Sequence, residues 1–182
     1  LPDYSIGRIP VTFRQYMDFL ASLEPEEAAA RVPRTQLDGP LCRQDDQGNW
    51  TPVYEILIEG RLRERYPDPE IVWELPLIAV SWEDAQAWCR WASETSGQEL
   101  RLPTENEWEK AARGVDGRSF PWGDAYDATF ANWQGSRESY SQLEPSGTYP
   151  IDCSVYGVFD MCGGTSDWCS GWYKRDQGLR AY

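Results

Sequence analysis

The sequence predicts one soluble domain in which helices and short strands give way to a loop-rich C-terminal part. The chain has 182 residues, a length that suits a single core. Its composition, 41% hydrophobic and 26% charged, is ordinary for a soluble globular protein. Helix-capping signals precede apolar periodic segments as far as Gly114; beyond it, turn signals and aromatic residues replace the periodicity.

Two capping signals each introduce a main helix. Thr12 and Gln15 form a capping box ahead of apolar residues at helical spacing, which predicts a helix over 12–23. Ser81 is the expected N-cap of a second helix over 81–96, whose apolar face carries alanine, tryptophan and cysteine.

A third, shorter helix is predicted after a second capping box. Thr104 and Glu107 form that box, and Trp108 follows at once. Trp108 is expected to face the core, and Gly114 is expected to end the helix.

Strand signals are weaker and lie at the N-terminus and in an irregular stretch. Residues 4–9 alternate like a short strand. We interpret 24–76 as a probable insertion with a small hairpin, a short helix near 26–31 and a strand over 50–58. The chain is expected to be a single domain over 1–182.

Composition excludes several classes of function. The net charge of -13 argues against general binding to nucleic acid or to anionic membranes. The sequence contains no His, which excludes Ser-His-Asp triads, Cys-His dyads and His-ligated zinc. No apolar run is long enough to span a bilayer, so membrane insertion is not expected. The first residues do not form a signal peptide, which favours the cytoplasm, although the compartment stays open.

Five cysteines and many aromatic residues leave further alternatives. The cysteines are Cys42, Cys89, Cys153, Cys162 and Cys169. Their number and spacing suit neither a disulfide scaffold nor a structural zinc site. Ten Trp, ten Tyr and five Phe favour a core of flat rings, a binding surface of rings, or both.

An ordered set of motifs makes the sequence recognisable. The motifs in chain order are 76–91 (PLIAVSWEDAQAWCRW), 101–114 (RLPTENEWEKAARG), 120–123 (FPWG), 131–133 (ANW), 156–161 (YGVFDM) and 167–173 (DWCSGWY). This set closely resembles the formylglycine-generating enzyme (sulfatase-modifying factor) family. The resemblance runs from Ile6 to about Tyr182, apart from the 24–76 insertion.

The resemblance implies a fold that the spacing of residues alone does not give. It is an α+β, C-type-lectin-like fold of the formylglycine-generating-enzyme subtype, loop-rich, with two main helices and a small mixed sheet. The helices predicted over 12–23 and 81–96 fit that plan.

The resemblance does not imply a single function, because members of the family differ in what they do. Some members are oxidases that convert a sulfatase cysteine to formylglycine with copper held by two cysteines. Others are non-catalytic binding modules, either attached to bacterial kinases or acting as variable proteins of diversity-generating retroelements. The oxidases carry their cysteine pair after the last motif, whereas this sequence stops at Tyr182, so we expect a C-terminal truncation.

We therefore favour a non-catalytic ligand-binding domain, with no catalytic residue in this chain. A protein or a glycan is the expected ligand, and fusion to a kinase or another domain is expected; the 24–76 insertion resembles the kinase-attached group. The alternative is a copper-dependent formylglycine-generating oxidase whose cysteines lie in further sequence. Trp172 and Tyr173 are the expected ligand-binding residues, followed by a solvated loop over 174–178.

Calcium is the cofactor that the resemblance implies, at two clusters. The first cluster comprises Asn132, Trp133, Glu138 and Tyr140. Side-chain and backbone oxygens of this kind are the hard ligands that Ca²⁺ prefers. The family more often has Asp at the position of Glu138, and an ordinary polar turn is the alternative reading.

The second calcium cluster lies at the glycine-rich motif. It comprises Cys162, Gly163, Thr165 and Asp167. Compared with the family motif GN(V/A)WEW, Gly164 replaces Asn, Ser166 replaces Trp and Asp167 replaces Glu. A turn without metal is the alternative here.

Overall fold

Residues 11–100 form one of two compact units in the computed structural model, and residues 1–10 with 101–182 form the other. The structure describes residues 1–133, 136, 143–175 and 178–181. The described elements are α-helices and short antiparallel strand pairs joined by long loops, which confirms the α+β, loop-rich class. The described strands pair in three two-stranded antiparallel sheets.

The first unit contains both predicted main helices. Its helices are α1 (Phe13–Ala21), α2 (Pro25–Ala30), α3 (Tyr54–Leu57), α4 (Leu62–Arg65), a 3-10 turn (Pro69–Glu74) and α5 (Trp82–Ser96). The capping boxes at Thr12 and Ser81 are both formed, and Gly97 ends α5 in the left-handed conformation with φ +71°. The most deeply buried side chains of this unit include Phe13, Tyr16, Leu20, Leu41, Ile58 and Leu75.

Two small hairpins occupy the irregular stretch. Strands β1 (Arg34–Thr35) and β2 (Gly39–Pro40) pair with each other, as do β3 (Cys42–Gln44) and β4 (Trp50–Pro52). The hairpin and the short helix predicted for this stretch are therefore present.

The strand predicted over 50–58 is wrong beyond its first three residues. Strand β4 ends at Pro52, and the N–H of Val53 donates a last hydrogen bond of 2.9 Å to the carbonyl of Leu41 before the chain turns into a helix. Helix α3 follows and buries Leu57. The apolar residues of this segment lie in a short helix. The sequence did not predict this, because apolar runs of this length do not distinguish helix from strand.

The second unit is organised around α6 (Glu105–Arg113). Ala111, Ala112, Val158 and Met161 form its buried cluster, and Ile6 and Trp108 pack against them. Strands β5 (Trp172–Arg175) and β6 (Gly178–Ala181) form a hairpin. The prediction of a solvated loop over 174–178 is wrong for Lys174 and Arg175, which belong to β5, and for Gly178, which begins β6.

The strand predicted over 4–9 is also wrong, since residues 1–10, all of them described, contain no strand. This segment is held by single contacts. The N–H of Phe159 donates to the carbonyl of Arg8 at 2.9 Å, and the Tyr4 hydroxyl donates to the carbonyl of Glu107 at 2.7 Å. Ile6 packs on the apolar cluster instead of alternating in a sheet.

The helices that the structure describes are too short or too polar to cross a membrane.

Candidate functional site

The start of α6 is held by a charged network. Arg101 donates two hydrogen bonds to the carboxylate of Glu107, at 2.8 and 2.7 Å. The same carboxylate accepts the N–H of Thr104 at 2.8 Å, while the Thr104 hydroxyl accepts the N–H of Glu107. These bonds, led by the one from Arg101, lower the pKa of Glu107 to about 2. The network orients α6 and hence Trp108.

Trp108 connects α6 to the glycine-rich loop. Its indole N–H donates to a carboxylate oxygen of Asp167 at 2.9 Å. Burial raises the pKa of Asp167, and the neighbouring charge of Asp160 raises it further. Trp108 is half-buried against the apolar cluster, so the predicted inward position is correct, and the ring also carries a specific hydrogen bond.

Asp152 holds the loop that leads into the glycine-rich motif. Its carboxylate, 1% exposed, accepts the N–H of Cys162 at 3.1 Å and the N–H of Gly163 at 3.1 Å. Its carbonyl accepts the N–H of Asp160 at 3.0 Å. Burial, with a smaller contribution from the charge of Asp160, raises the pKa of Asp152 to about 6.

Asp160 is a half-buried carboxylate of the same region. Its backbone is left-handed with φ +59°, a conformation that Asp tolerates better than most residues. The carboxylate accepts the N–H of Gly147 at 3.1 Å, and burial raises its pKa. The charge of Asp160 also raises the pKa of Asp152 and of Asp167, so it lies near each of them.

The two predicted calcium clusters meet at Asn132 and Gly163. The N–H of Gly164 donates to the carbonyl of Asn132 at 2.7 Å. A Cβ at Gly163 would lie 2.6 Å from the nitrogen of Asn132, so glycine is required there. Gly164 has φ +87°, and glycine and asparagine are the residues that most readily adopt this conformation. The replacement of the family's Asn by Gly164 therefore preserves the turn.

The first calcium cluster is only partly described. The Trp133 carbonyl accepts the N–H of Ser136 at 3.0 Å and the Ser136 hydroxyl at 2.6 Å. Both lone pairs of that carbonyl are thus engaged. Asn132 is half-buried, and Glu138 and Tyr140 lie outside the described residues.

The oxygen atoms of the second cluster have more lone pairs free to bind a cation. Within the described ranges, no hydrogen-bond donor faces the carbonyls of Cys162, Gly163 and Thr165. Asp167 uses one carboxylate oxygen for Trp108 and has a second. No group of three or more Cys, Asp or Glu residues that could hold a metal occurs in the part of the chain that the structure describes. The second cluster offers carbonyl and carboxylate oxygens, which are the hard donors that Ca²⁺ takes.

The thiols of this chain are shielded. Burial raises the pKa of Cys42 to about 12 and that of Cys162 to about 11. It also raises the pKa of Cys89 and of Cys169. All five cysteines are free, and Cys89 is buried on α5. The four thiols whose pKa is raised remain protonated near neutral pH and are poor nucleophiles and metal ligands.

Trp172 and Tyr173 begin the C-terminal hairpin. Trp172 pairs with Ala181 and Tyr173 with Arg180 in the backbone register. Their side chains lie outside the described part of the chain, so their role in ligand binding stays a prediction. The backbone places both residues on a strand instead of a loop.

Asp152 and Asp160 were not predicted as site residues. Both occur in irregular backbone, where no periodicity marks a residue as buried. Their one sequence signal is acidity among turn residues, which by itself indicates an exposed loop.

Comparison with known proteins relates residues 1–181 to the sulfatase-modifying factor enzyme 1-like domain. The mouse protein called inactive C-alpha-formylglycine-generating enzyme 2 is 30% identical over 204 residues, covering 94% of this chain and 59% of that protein. The formylglycine-generating enzyme of Thermomonospora curvata is 35% identical over 111 residues, covering 56% of this chain and 35% of that protein. The serine/threonine-protein kinase Pkn1 of Chlamydia trachomatis is 34% identical over 177 residues, covering 97% of this chain and 24% of that protein.

The chain thus spans between 24% and 59% of the length of these relatives. The family match covers both compact units of the chain. The capped helices, the Trp108–Asp167 hydrogen bond and the glycine-rich loop all lie within the matched residues. The chain therefore belongs to the family of sulfatase-modifying factor enzyme 1-like domains, also known as formylglycine-generating-enzyme-like domains.

Proposed function

We propose that this chain is a non-catalytic ligand-binding domain that presents a binding surface from its C-terminal hairpin. The observation that carries the proposal is the similarity to a relative called inactive, which aligns with 94% of this chain. The thiols of the chain agree with it, because burial raises the pKa of Cys42, Cys89, Cys162 and Cys169, whereas copper in the family's oxidases requires a pair of thiolates. The residues that organise the fold are meanwhile intact, as the networks at Glu107 and Trp108 show.

The relatives support a binding role and suggest its setting. One relative is called inactive, and it aligns with 94% of this chain. Another is a serine/threonine-protein kinase, and it aligns with 97% of the chain. We favour attachment to a kinase as a sensor domain over a retroelement variable protein, with a protein or glycan as the ligand.

The second candidate is a copper-dependent oxidase that makes formylglycine, and the Thermomonospora curvata relative favours it. The two candidates make different predictions for the full-length gene product, because the oxidase candidate carries its cysteines in further sequence. The full-length gene product is incubated with a sulfatase-type CxPxR peptide, copper, oxygen and a thiol reductant, and the peptide is read by mass spectrometry. The proposal predicts an unchanged cysteine; conversion of the thiol to an aldehyde above the rate of a protein-free control would contradict it.

The ligand-binding part of the proposal is tested through the hairpin. A glycan array and a peptide array are probed with the wild-type chain and with variants Trp172→Ala and Tyr173→Ala. Arg43→Gln on β3, an exposed residue, is the matched control for a surface substitution. Binding lost in the hairpin variants and kept in the control supports the surface, and binding kept in all variants contradicts it.

We also propose that Ca²⁺ binds at the second cluster, through the carbonyls of Cys162, Gly163 and Thr165 and the carboxylate of Asp167. The carbonyls face no donor among the described residues, and hard oxygen ligands suit calcium. The first cluster stays a candidate through Asn132 and Glu138. Calcium would stabilise loops whose backbone groups are not satisfied by the hydrogen bonds of helices or sheets.

Chelation tests the calcium proposal. A ligand that binds only the native state stabilises it by mass action, so excess chelator should lower the melting temperature. Asp167→Asn should lose the calcium response, while Glu109→Gln, an exposed substitution on α6, should keep it. Equal melting curves with calcium and with chelator, together with no calcium by elemental analysis, would contradict the site.

A further inference from the structure

A cavity of about 660 Å³ lies between the N-terminal segment, α6 and the 156–158 turn. All of its walls belong to the second unit. It shares no residue with the calcium clusters or with the C-terminal hairpin. Its volume falls in the range of sites that take a drug-sized molecule.

The floor of the cavity is apolar. Ala111 and Val158 are members of the buried cluster, and Ile6 packs against that cluster. Ala111 and Val158 are themselves only 1% and 5% exposed, so the accessible apolar surface of this wall comes from Ile6, and it gains free energy when an apolar body covers it. Tyr156 lines the cavity with 53% of its surface exposed, so its ring is available to a flat ligand.

Two cations line the same cavity. The Lys110 ammonium lies 5.5 Å from the centre of the Tyr4 ring, and the Arg8 guanidinium lies 5.2 Å from the centre of the Phe159 ring. Each cation is therefore positioned by an aromatic face, at the distance of a cation–π contact.

Neither cation is neutralised by a carboxylate among the residues that the structure describes. The neighbouring Arg113 differs, since it pairs with Glu109 at 2.7 Å. Asp3, which is exposed, is the one acidic residue in the wall, so two positive groups face one negative group. This local excess of positive charge stands out in a chain of net charge -13. It favours an anion over a cation at this cavity.

We propose that this cavity binds a small organic anion, with a flat apolar body on Ile6 and Tyr156 and a carboxylate between Arg8 and Lys110. An apolar body alone would cover Ile6 and Tyr156 and leave both cations without an anion. An inorganic anion alone would use the cations and leave Ile6 and Tyr156 exposed to water. The combination accounts for both parts of the wall. The inference goes beyond the proposed binding role of the hairpin and does not depend on it.

Calorimetric titration with three isosteric probes tests this site: 2-naphthoate, 2-naphthalenemethanol and 2-naphthylmethylammonium. They share the flat body and differ in charge. The 182-residue chain should bind the carboxylate about tenfold more tightly than the alcohol, since a charge-assisted contact is worth about one such factor. The ammonium probe should bind more weakly than the alcohol.

Matched variants separate the site from non-specific attraction. Lys110→Met keeps the apolar stem and should lower the affinity for 2-naphthoate about tenfold, with little change for the alcohol. Arg8→Gln should act in the same direction, and it is the deciding variant if Lys110→Met does not fold. Arg43→Gln removes the same charge from an exposed position on β3 and should change nothing. Equal affinities for the carboxylate and the alcohol, or an equal loss in the Arg43→Gln control, would overturn the proposal.

Discussion

The indole N–H of Trp108 donates a hydrogen bond of 2.9 Å to the carboxylate of Asp167. This bond joins helix α6 to the glycine-rich loop across 59 positions of sequence. The position of the loop therefore depends on the helix, and the helix start depends in turn on Arg101 and Glu107. Stability and the proposed calcium site are linked through this one ring.

Replacement of Trp108 tests that relationship. Trp108→Ala should destabilise the chain by about 2–4 kcal/mol, below the upper range for a fully buried tryptophan because the ring is half-buried. Trp108→Phe keeps most of the packing and removes the donor to a buried carboxylate, and should cost about 1–3 kcal/mol. Thr104→Ala, which removes a helix cap, should cost about 1 kcal/mol. Denaturant melts measure the free energy of unfolding of all three variants. If Trp108→Ala loses no more stability than Thr104→Ala, Trp108 does not belong to the core.

Glu107 should make the chain sensitive to acid. Its pKa is lowered to about 2, chiefly by Arg101, from an ordinary value of 4.5. A carboxylate with a lowered pKa stabilises the fold above its ordinary pKa, and that contribution is lost as the pH falls through the lowered value. Stability should therefore fall between about pH 4.5 and about pH 2. Glu107→Gln should be less stable than wild type at neutral pH and should lose less stability between pH 4.5 and about pH 2. Parallel curves of stability against pH for the two proteins would rule out this role of Glu107.

Asp152 should produce the opposite dependence at higher pH. Burial raises its pKa to about 6, so the native state favours the neutral carboxyl. Stability should then rise as the pH falls through about 6 towards the ordinary value of 3.8. Asp152→Asn removes the titration and keeps an acceptor for the N–H groups of Cys162 and Gly163. Melting temperatures measured across this range should show a rise in wild type that the variant lacks, and identical slopes would refute the assignment.

Gly163 and Gly164 should respond differently to substitution. Gly163→Ala places a methyl group 2.6 Å from the backbone nitrogen of Asn132, so the two loops must separate. Gly164→Asn keeps a residue that adopts the left-handed conformation, at a cost of about 1 kcal/mol or less. Thermal melts should show a large loss for Gly163→Ala and a small one for Gly164→Asn. Similar losses of stability in the two variants would show that the close approach of Gly163 to Asn132 does not determine which residues this loop tolerates.

The sequence predicted helices α1, α5 and α6 because capping residues mark where each of them begins. The capping boxes at Thr12, Ser81 and Thr104 are all formed. The strand expected over 50–58 was wrong beyond Pro52 because a short apolar run suits either structure, and this run forms α3 from Tyr54 onwards. The role of Asp152 could not be predicted, since its partners are backbone N–H groups of a loop that no periodicity places beside it.

The central claim is that this family member binds a ligand and does not oxidise a peptide cysteine. The most direct measurement is mass spectrometry of a CxPxR peptide after incubation with copper, oxygen, reductant and the full-length gene product. We predict an unmodified cysteine at every time point, at the level of a protein-free control. Accumulation of the formylglycine peptide in proportion to protein concentration would contradict the claim and establish the oxidase.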